Sequence, residues 1–240
     1  MIGLGTYRLP PATARDITAC AVTSGYMLID TAQLYRNETA VHEGLSQSGV
    51  ESDSVFLTTK VKTFDPVAIE ERLKIFGKID LLLLHWPSDH FVKDWENLCK
   101  NKPPSVKNIG VSNFDTQHLE QIRDLPRPFC NQIEISPFLT RKELIAYHRL
   151  HSILTVAHSP LIKGEKFNDQ RLMQMAEKYS TTTASILINW SLQNQFWVIP
   201  RTSNVQHLKQ NQCIVRISES DIVEMDSWNE SYATHPKYIS

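Results

Sequence analysis

Apolar residues along this chain fall in short continuous runs rather than in strict alternation. Eight such runs, most of them rich in β-branched residues, lie at Ile2–Gly5, Met27–Thr31, Val55–Lys60, Asp80–His85, Lys107–Ser112, Cys130–Ile135, Ile153–His158 and Trp197–Pro200. A run of this kind predicts a parallel strand covered on both faces, since neither of its sides is built for water. Between the runs the pattern turns helical. Thr13-x-x-Asp16, Thr140-x-x-Glu143 and Ser218-x-x-Asp221 have the form of capping boxes, in which the first side chain accepts from the peptide N–H three residues on. Leu139 with Leu144, and Ile217 with Ile222, are spaced as hydrophobic staples across two of those starts. Gly25 follows the first helix as a stop signal. Arg171–Tyr179 and Thr182–Asn194 read as two successive helices between the seventh and eighth strands.

The spacing of strand ends decides the architecture. Gly5, Asp30, Lys60, His85, Ser112, Glu134 and His158 follow one another at 22 to 30 residues, and Pro200 comes 42 residues later. A closed α/β barrel uses about 30 residues per strand–helix unit. The expectation is a (β/α)8 TIM barrel forming one domain over residues 1–240, with two extra helices. One precedes the seventh barrel helix and the other lies near the C-terminus. An open doubly wound sheet is the alternative, but it usually carries a phosphate loop after its first strand. Gly3-Leu4-Gly5 begins such a loop, yet Arg8 stands where the third glycine belongs. Gly44 and Gly49 have P-loop spacing, but Val50 follows instead of lysine. His42-Glu43 lacks the second zinc-binding histidine, because Ser46 occupies its place, so no metal site is expected.

Composition excludes several classes. With 240 residues, 41% hydrophobic and 21% charged, the chain is globular. Its 25 basic and 26 acidic residues leave a net charge of -1, which argues against nucleic acid as a partner. No apolar run approaches the ~18 residues of a membrane span. Met1 to Pro11 lacks the basic-then-apolar order of a signal peptide, and Lys237-Tyr238-Ile239-Ser240 has no lipidation cysteine. Cys20, Cys99, Cys130 and Cys213 form no Cys-x-x-Cys pair and read as reduced thiols. A cytoplasmic monomer is expected.

In a barrel, chemistry gathers at the C-terminal ends of strands. Asp30, Lys60 and His85 end three consecutive strands, and Tyr35 lies on the loop five residues beyond Asp30. Each has a plain reading: a structural ion pair, a core histidine, a loop tyrosine. Together they form a set that can protonate an alkoxide as it forms. A phenol at its usual pKa of ~10 is a poor proton donor, and a neighbouring ammonium lowers that value by ~1–3 units. Asp30 would hold and orient Lys60, and His85 would orient a substrate oxygen. The chemistry this suits is carbonyl reduction, and because none of these groups can supply a hydride, a cofactor is required.

These residues sit in motifs that resemble the aldo-keto reductase family over nearly the whole chain. The motifs are Gly3-Leu4-Gly5-Thr6, Asp30-Thr31-Ala32 with Tyr35 and Asn37-Glu38, Thr59-Lys60-Val61, Asp80-Leu81 through His85-Trp86-Pro87, and Gly110-Val111-Ser112-Asn113-Phe114. They continue with Asn131-Gln132-Ile133-Glu134, Ser159-Pro160-Leu161 and Ile199-Pro200-Arg201-Thr202. The resemblance implies reduction of aldehydes or ketones, with NADPH and with NADH as the alternative donor. It implies Tyr35 as general acid, completed by Asp30, Lys60 and His85. Ser112, Asn113 and Gln132 resemble ligands of the nicotinamide carboxamide, and Ser159 and Leu161 part of a pyrophosphate loop. Arg201, Thr202, Asn204 and His207 resemble an adenosine-phosphate cluster, Gln210 and Asn211 adenine contacts, and Tyr7, Trp86 and Phe114 substrate-pocket aromatics.

Several positions depart from the family pattern. His158 replaces the tyrosine that stacks on nicotinamide, His207 replaces an arginine, and Gln210 replaces a glutamate. The chain begins at its first strand without the hairpin that plugs the barrel, only Pro87 to Lys93 link the fourth strand to its helix, and the tail after Trp228 is short. An open pocket with broad preference follows as the expectation, and with so little enclosure the expected substrates are small activated carbonyls and dicarbonyls. A rival reading is a cofactor-binding barrel with little turnover, acting as a sensor, regulatory subunit or structural protein. An aldolase using Lys60 in a Schiff base would need a neutral lysine, which Asp30 disfavours.

Overall fold

A computed structural model describes residues 1–235; the terminal tetrapeptide Lys237 to Ser240 read above lies outside them. Eight parallel strands follow one another in sequence order: β1 (Leu4–Gly5), β2 (Leu28–Asp30), β3 (Phe56–Val61), β4 (Ile79–Leu84), β5 (Val106–Ser112), β6 (Cys130–Glu134), β7 (Leu154–His158) and β8 (Trp197–Val198). Parallel bridges Ile2 to Val198 and Gly5 to Arg201 join the last strand to the first. The sheet thus closes into the expected (β/α)8 barrel. Gly5 stands on that seam, where an added Cβ would lie 2.8 Å from the Ile199 carbonyl oxygen. Any side chain there would prise the seam open.

The connections are α1 (Pro11–Thr23), α2 (Glu38–Gln47), α3 (Pro66–Phe76), α4 (Phe91–Asn101), α5 (Thr116–Gln121), α6 (Lys142–Leu150), α7 (Gln170–Lys178), α8 (Thr183–Gln193), α9 (Val205–Asn211) and α10 (Glu219–Asp226). The two extra helices stand where expected, α7 ahead of α8 and α10 at the end. Two of the three capping boxes do not form. α1 starts at Pro11, earlier than Thr13, because proline's fixed φ suits the first helical turn and its missing N–H costs nothing there. α6 is entered through Arg141 in a left-handed conformation, and the Thr140 N–H goes to Asn229 Oδ1 instead. Ser218 does cap α10, accepting from the Asp221 N–H.

Inside the barrel, Leu28, Leu81, Leu83, Cys130, Val156 and Ile199 form one packed cluster. At the strands' N-terminal ends Phe56, Phe129 and Trp197 fill the floor, with ring centroids 5.3 to 6.4 Å apart. The larger core lies between strands and helices, around Trp95, Phe114, Phe138 and Trp190. With the floor and interior filled, open space remains at the C-terminal mouth. No helix among the described residues is long and apolar enough to cross a membrane.

Candidate functional site

Parallel register puts the ends of neighbouring strands side by side: Asp30 pairs with Thr58, Lys60 with Leu83, and Val61 with Leu84 next to His85. Lys60 is fully buried, and its ammonium donates to Asp30 Oδ1 (2.5 Å), the Thr31 carbonyl (2.9 Å) and Tyr35 Oη (3.3 Å). All three of its protons are therefore committed. The other Asp30 oxygen accepts from Gln132 Nε2 at 2.7 Å. Burial pushes Asp30 up and Lys60 down from their ordinary values, and each is pulled back toward its charged form by the other. His85 is buried, lies edge-on to the Tyr35 ring at 5.6 Å, and is pushed down to about 3 by burial and then by the charge of Lys60. At neutral pH it is held as the uncharged imidazole.

Tyr35 reaches Lys60 because its loop is held at both ends. It closes a single 3₁₀ turn, Gln33–Tyr35, which Arg36 ends in a left-handed conformation. Next in line, Asn37 donates to the Thr6 and Leu9 carbonyls at 2.9 and 3.0 Å and accepts from Thr31 Oγ1. Glu38 then accepts from Thr59 Oγ1 (2.6 Å) and pairs with Arg72 (3.0 Å), all of them buried.

A cavity of about 350 Å³ opens over this group. Of the residues singled out in the sequence, it is lined by Tyr7, Asp30, Tyr35, His85, Trp86, Ser112, Asn113, Gln132, His158, Ser159, Leu161, Arg201 and His207. Asn113 follows β5 with φ 60 and donates from Nδ2 to the His85 carbonyl, while Ser112 Oγ donates to the Gln132 carbonyl at 2.9 Å. Ser159, Ile162 and Lys163 all have φ near +50, and Gly164 has φ 81. Left-handed non-glycine residues cost ~1–2 kcal/mol each, and such strain collects in loops that bind ligands.

Six expected residues lie off the cavity wall, the first being Lys60, which is fully buried and meets the site through Tyr35 and Asp30. Phe114 is fully buried and packs edge-on against Phe91 and His118, in the core between strands and helices. Asn204 caps α9 by accepting from the Gln206 N–H. Thr202 accepts from the Asn204 N–H, so its hydroxyl serves the same turn. Gln210 is exposed on α9 away from the cavity. Asn211 is buried, since it shares an inward helix face with Leu208 three residues before it.

The sequence reading gave no site role to Gly5, Leu34, Pro160, Lys163, Gly164, Phe167, Ile199 and His235, which lie on the same wall. His235 comes from the tail, which was expected to be too short to cover the mouth. Extended chain covers ~3.3 Å per residue, so seven residues cross ~20 Å. The tail is pinned along its course. The Glu230 and Tyr232 N–H groups donate to the Phe138 carbonyl, and Glu230 pairs with Lys166 (2.7 Å) and with Arg171. The Thr234 N–H and Oγ1 donate to Glu134 Oε1 at 2.7 and 2.6 Å, and the His235 N–H to Glu134 Oε2 at 3.1 Å. Lys163 Nζ reaches the Thr234 carbonyl at 2.8 Å. The visible signal was Glu134, a carboxylate ending an apolar strand with no assigned task. The link after β4, in contrast, is even shorter than expected, since α4 starts at Phe91.

The sequence profile of the Aldo/keto reductase family matches residues 1–230. An aldo-keto reductase of Mycolicibacterium vanbaalenii is 39% identical over 225 residues, covering 88% of this chain and 81% of that protein. A glyoxal reductase of Bacillus subtilis is 34% identical over 250 residues, covering 98% and 90%. The crystal structure of an aldo/keto reductase from Brucella melitensis superposes with a TM-score of 0.89 at 32% identity, covering 95% of this chain and 94% of that one.

Proposed function

Starting from a chain that belongs to the aldo-keto reductase family, and is therefore an oxidoreductase acting on carbonyl groups, we propose that it reduces small activated aldehydes and dicarbonyls with NADPH, Tyr35 giving the proton. The observation that carries this reading is the contact of Lys60 Nζ with Tyr35 Oη at the cavity floor. The glyoxal reductase of Bacillus subtilis, similar over nearly the full length, supports the choice of substrate class.

The donor set along the cavity fits such a cofactor. Gln132 Nε2 is committed to Asp30, so its Oε1 is the atom left to accept from a carboxamide N–H. Ser112 and Asn113 stand beside it, the left-handed loop at 159–164 suits a pyrophosphate, and Arg201 with His207 suits a 2′-phosphate. When bound, the reduced nicotinamide supplies the hydride to the substrate carbon. The rest falls to side chains. Neutral His85 holds the carbonyl oxygen, and Tyr35 Oη gives its proton to that oxygen as negative charge develops there. The Lys60 ammonium stabilises the phenolate left behind, and Asp30 keeps the ammonium in place. Tyr7, Trp86 and His235 wall the space above.

Purified protein mixed with NADPH and methylglyoxal or phenylglyoxal should consume the reduced nicotinamide, read as loss of its absorbance. NADPH binding with no consumption across a panel of small carbonyls would instead favour a binding barrel with little turnover.

A further inference from the structure

We propose that His158 is a positioning residue: it fixes the side-chain amide of Asn113 through a hydrogen bond, and so acts on the cofactor through Asn113 rather than chiefly as a stacking surface. The inference rests on the cofactor reading above. It starts from the amide of Asn113, whose two N–H groups are both directed. Nδ2 lies 3.0 Å from the His85 carbonyl oxygen and 3.1 Å from Ser112 Oγ. A carbonyl oxygen can only accept, so the nitrogen is on that side and Oδ1 is on the other. Oδ1 lies 2.9 Å from His158 Nε2. Because Oδ1 also only accepts, Nε2 must carry the proton of the imidazole. Nδ1 is then the bare nitrogen, facing Ser159 Oγ at 3.2 Å.

This arrangement has one favoured state. Turning the amide over would set its N–H groups against the Nε2–H and would strip the His85 carbonyl of its donor. Each buried group left unpaired in that way is costly. His158 therefore locks an amide whose backbone already sits in a left-handed conformation at the end of β5. The bond reaches across β6, since His158 ends β7, Asn113 follows β5 and Gln132 of β6 lies between them. It also continues into Ser159, the first left-handed residue of the loop assigned to the pyrophosphate. A phenol or phenyl ring at position 158 would offer more flat area but no nitrogen donor to Asn113.

Stacking and positioning predict opposite orders for two variants. His158→Gln keeps an N–H at similar reach and loses the ring; His158→Phe keeps a ring and loses the N–H. NADPH dissociation constants are measured by fluorescence titration, with circular dichroism and melting curves as folding controls. Positioning predicts that His158→Gln stays within about threefold of wild type while His158→Phe weakens binding roughly tenfold. Made in an Asn113→Gly background, which tolerates the left-handed backbone, His158→Phe should weaken binding no further, because the partner is gone. A purely structural role would still add its cost. Long-range proton–nitrogen correlation spectra of the free protein should show the Nε2–H tautomer at His158. The Nδ1–H tautomer, or His158→Phe binding as tightly as wild type while His158→Gln fails, would overturn the assignment. If the wild type binds no nicotinamide cofactor, the cofactor reading falls and this inference with it; the inverse order in a protein that binds NADPH overturns the inference alone.

Discussion

Tyr35 and Arg201 carry the most decisive single-residue predictions. Tyr35 Oη lies 3.3 Å from the Lys60 ammonium. Tyr35→Phe removes the donated proton and one acceptor of the Lys60 ammonium, but keeps the Lys60–Asp30 ion pair. Loss of a general acid typically costs ~10²–10⁴-fold, so steady-state reduction should fall by that range with NADPH affinity nearly unchanged. Turnover within a few-fold of wild type would end the role of Tyr35. Arg201 is exposed and lines the cavity, as does His207. Its planar fork suits a phosphate in a way a lysine does not. Arg201→Ala should weaken NADPH binding and spare NADH, and the wild-type preference for NADPH should shrink in high salt, where exposed charges are screened. Equal dissociation constants for the two cofactors in the wild type would show that the site does not select the phosphate.

Among the elements, the tail depends on one carboxylate. Glu134 is buried at the end of β6 and accepts from the Thr234 N–H, the Thr234 hydroxyl and the His235 N–H. Glu134→Ala leaves those donors without their partner at the mouth. The expected result is faster amide hydrogen exchange at Thr234 and His235, with the strands unchanged in protection. The cavity should also open, because His235 packs against Tyr7 at 5.8 Å and loses its anchor. An unchanged exchange rate at both amides would mean that the Phe138, Lys163 and Lys166 contacts hold the tail by themselves. The Tyr35 loop is built on the same logic, with Asn37 and Glu38 as its ties. In both cases an irregular stretch is tied down by buried polar side chains, Asn37 and Glu38 in one and Glu134 in the other.

For the whole molecule, the buried histidines set the response to acid. His85 is pushed down to about 3 and His148 to about 4, in both cases chiefly by burial. His148 is almost fully buried, with its ring nitrogens against Asn131 Nδ2 (3.0 Å) and Thr155 Oγ1 (2.9 Å). The Asn131 amide donates to one nitrogen, so protonating that nitrogen would set donor against donor. The folded pKa of each histidine lies below the unfolded value of ~6.5. Below ~6.5 the unfolded chain binds protons that the native protein refuses. Stability is therefore full above that pH and declines as pH falls toward about 4 for His148 and about 3 for His85. At pH 5 the loss is about 2 kcal/mol per histidine. Melting temperature should drop steadily between pH 7 and pH 5, and His148→Gln should flatten part of that slope. A melting temperature independent of pH over this range would contradict the buried neutral state.

The eight strands and their order could be read from the chain because burial on both faces forces continuous apolar runs, and parallel pairing forces similar intervals between their ends. The same rule made Asp30, Lys60 and His85 stand out, since each is a polar end to an apolar run. Two helix starts were misread because a capping box is a local pattern that a better local choice displaces: Pro11 opens α1, and Asn229, far along the chain, takes the Thr140 N–H. His235, Lys163 and Leu34 could not be placed on the cavity from sequence, since loops and tail have no period and their course is set by distant partners. Phe114 and Asn211 are buried in packed surroundings away from the cavity, Phe114 in the strand–helix core and Asn211 on the covered face of α9. The amide of Asn113 shows the division most plainly. Its residue type and strand-end position were visible in the chain, but which way it faces depends on His85, Ser112 and His158, which only folding brings to it.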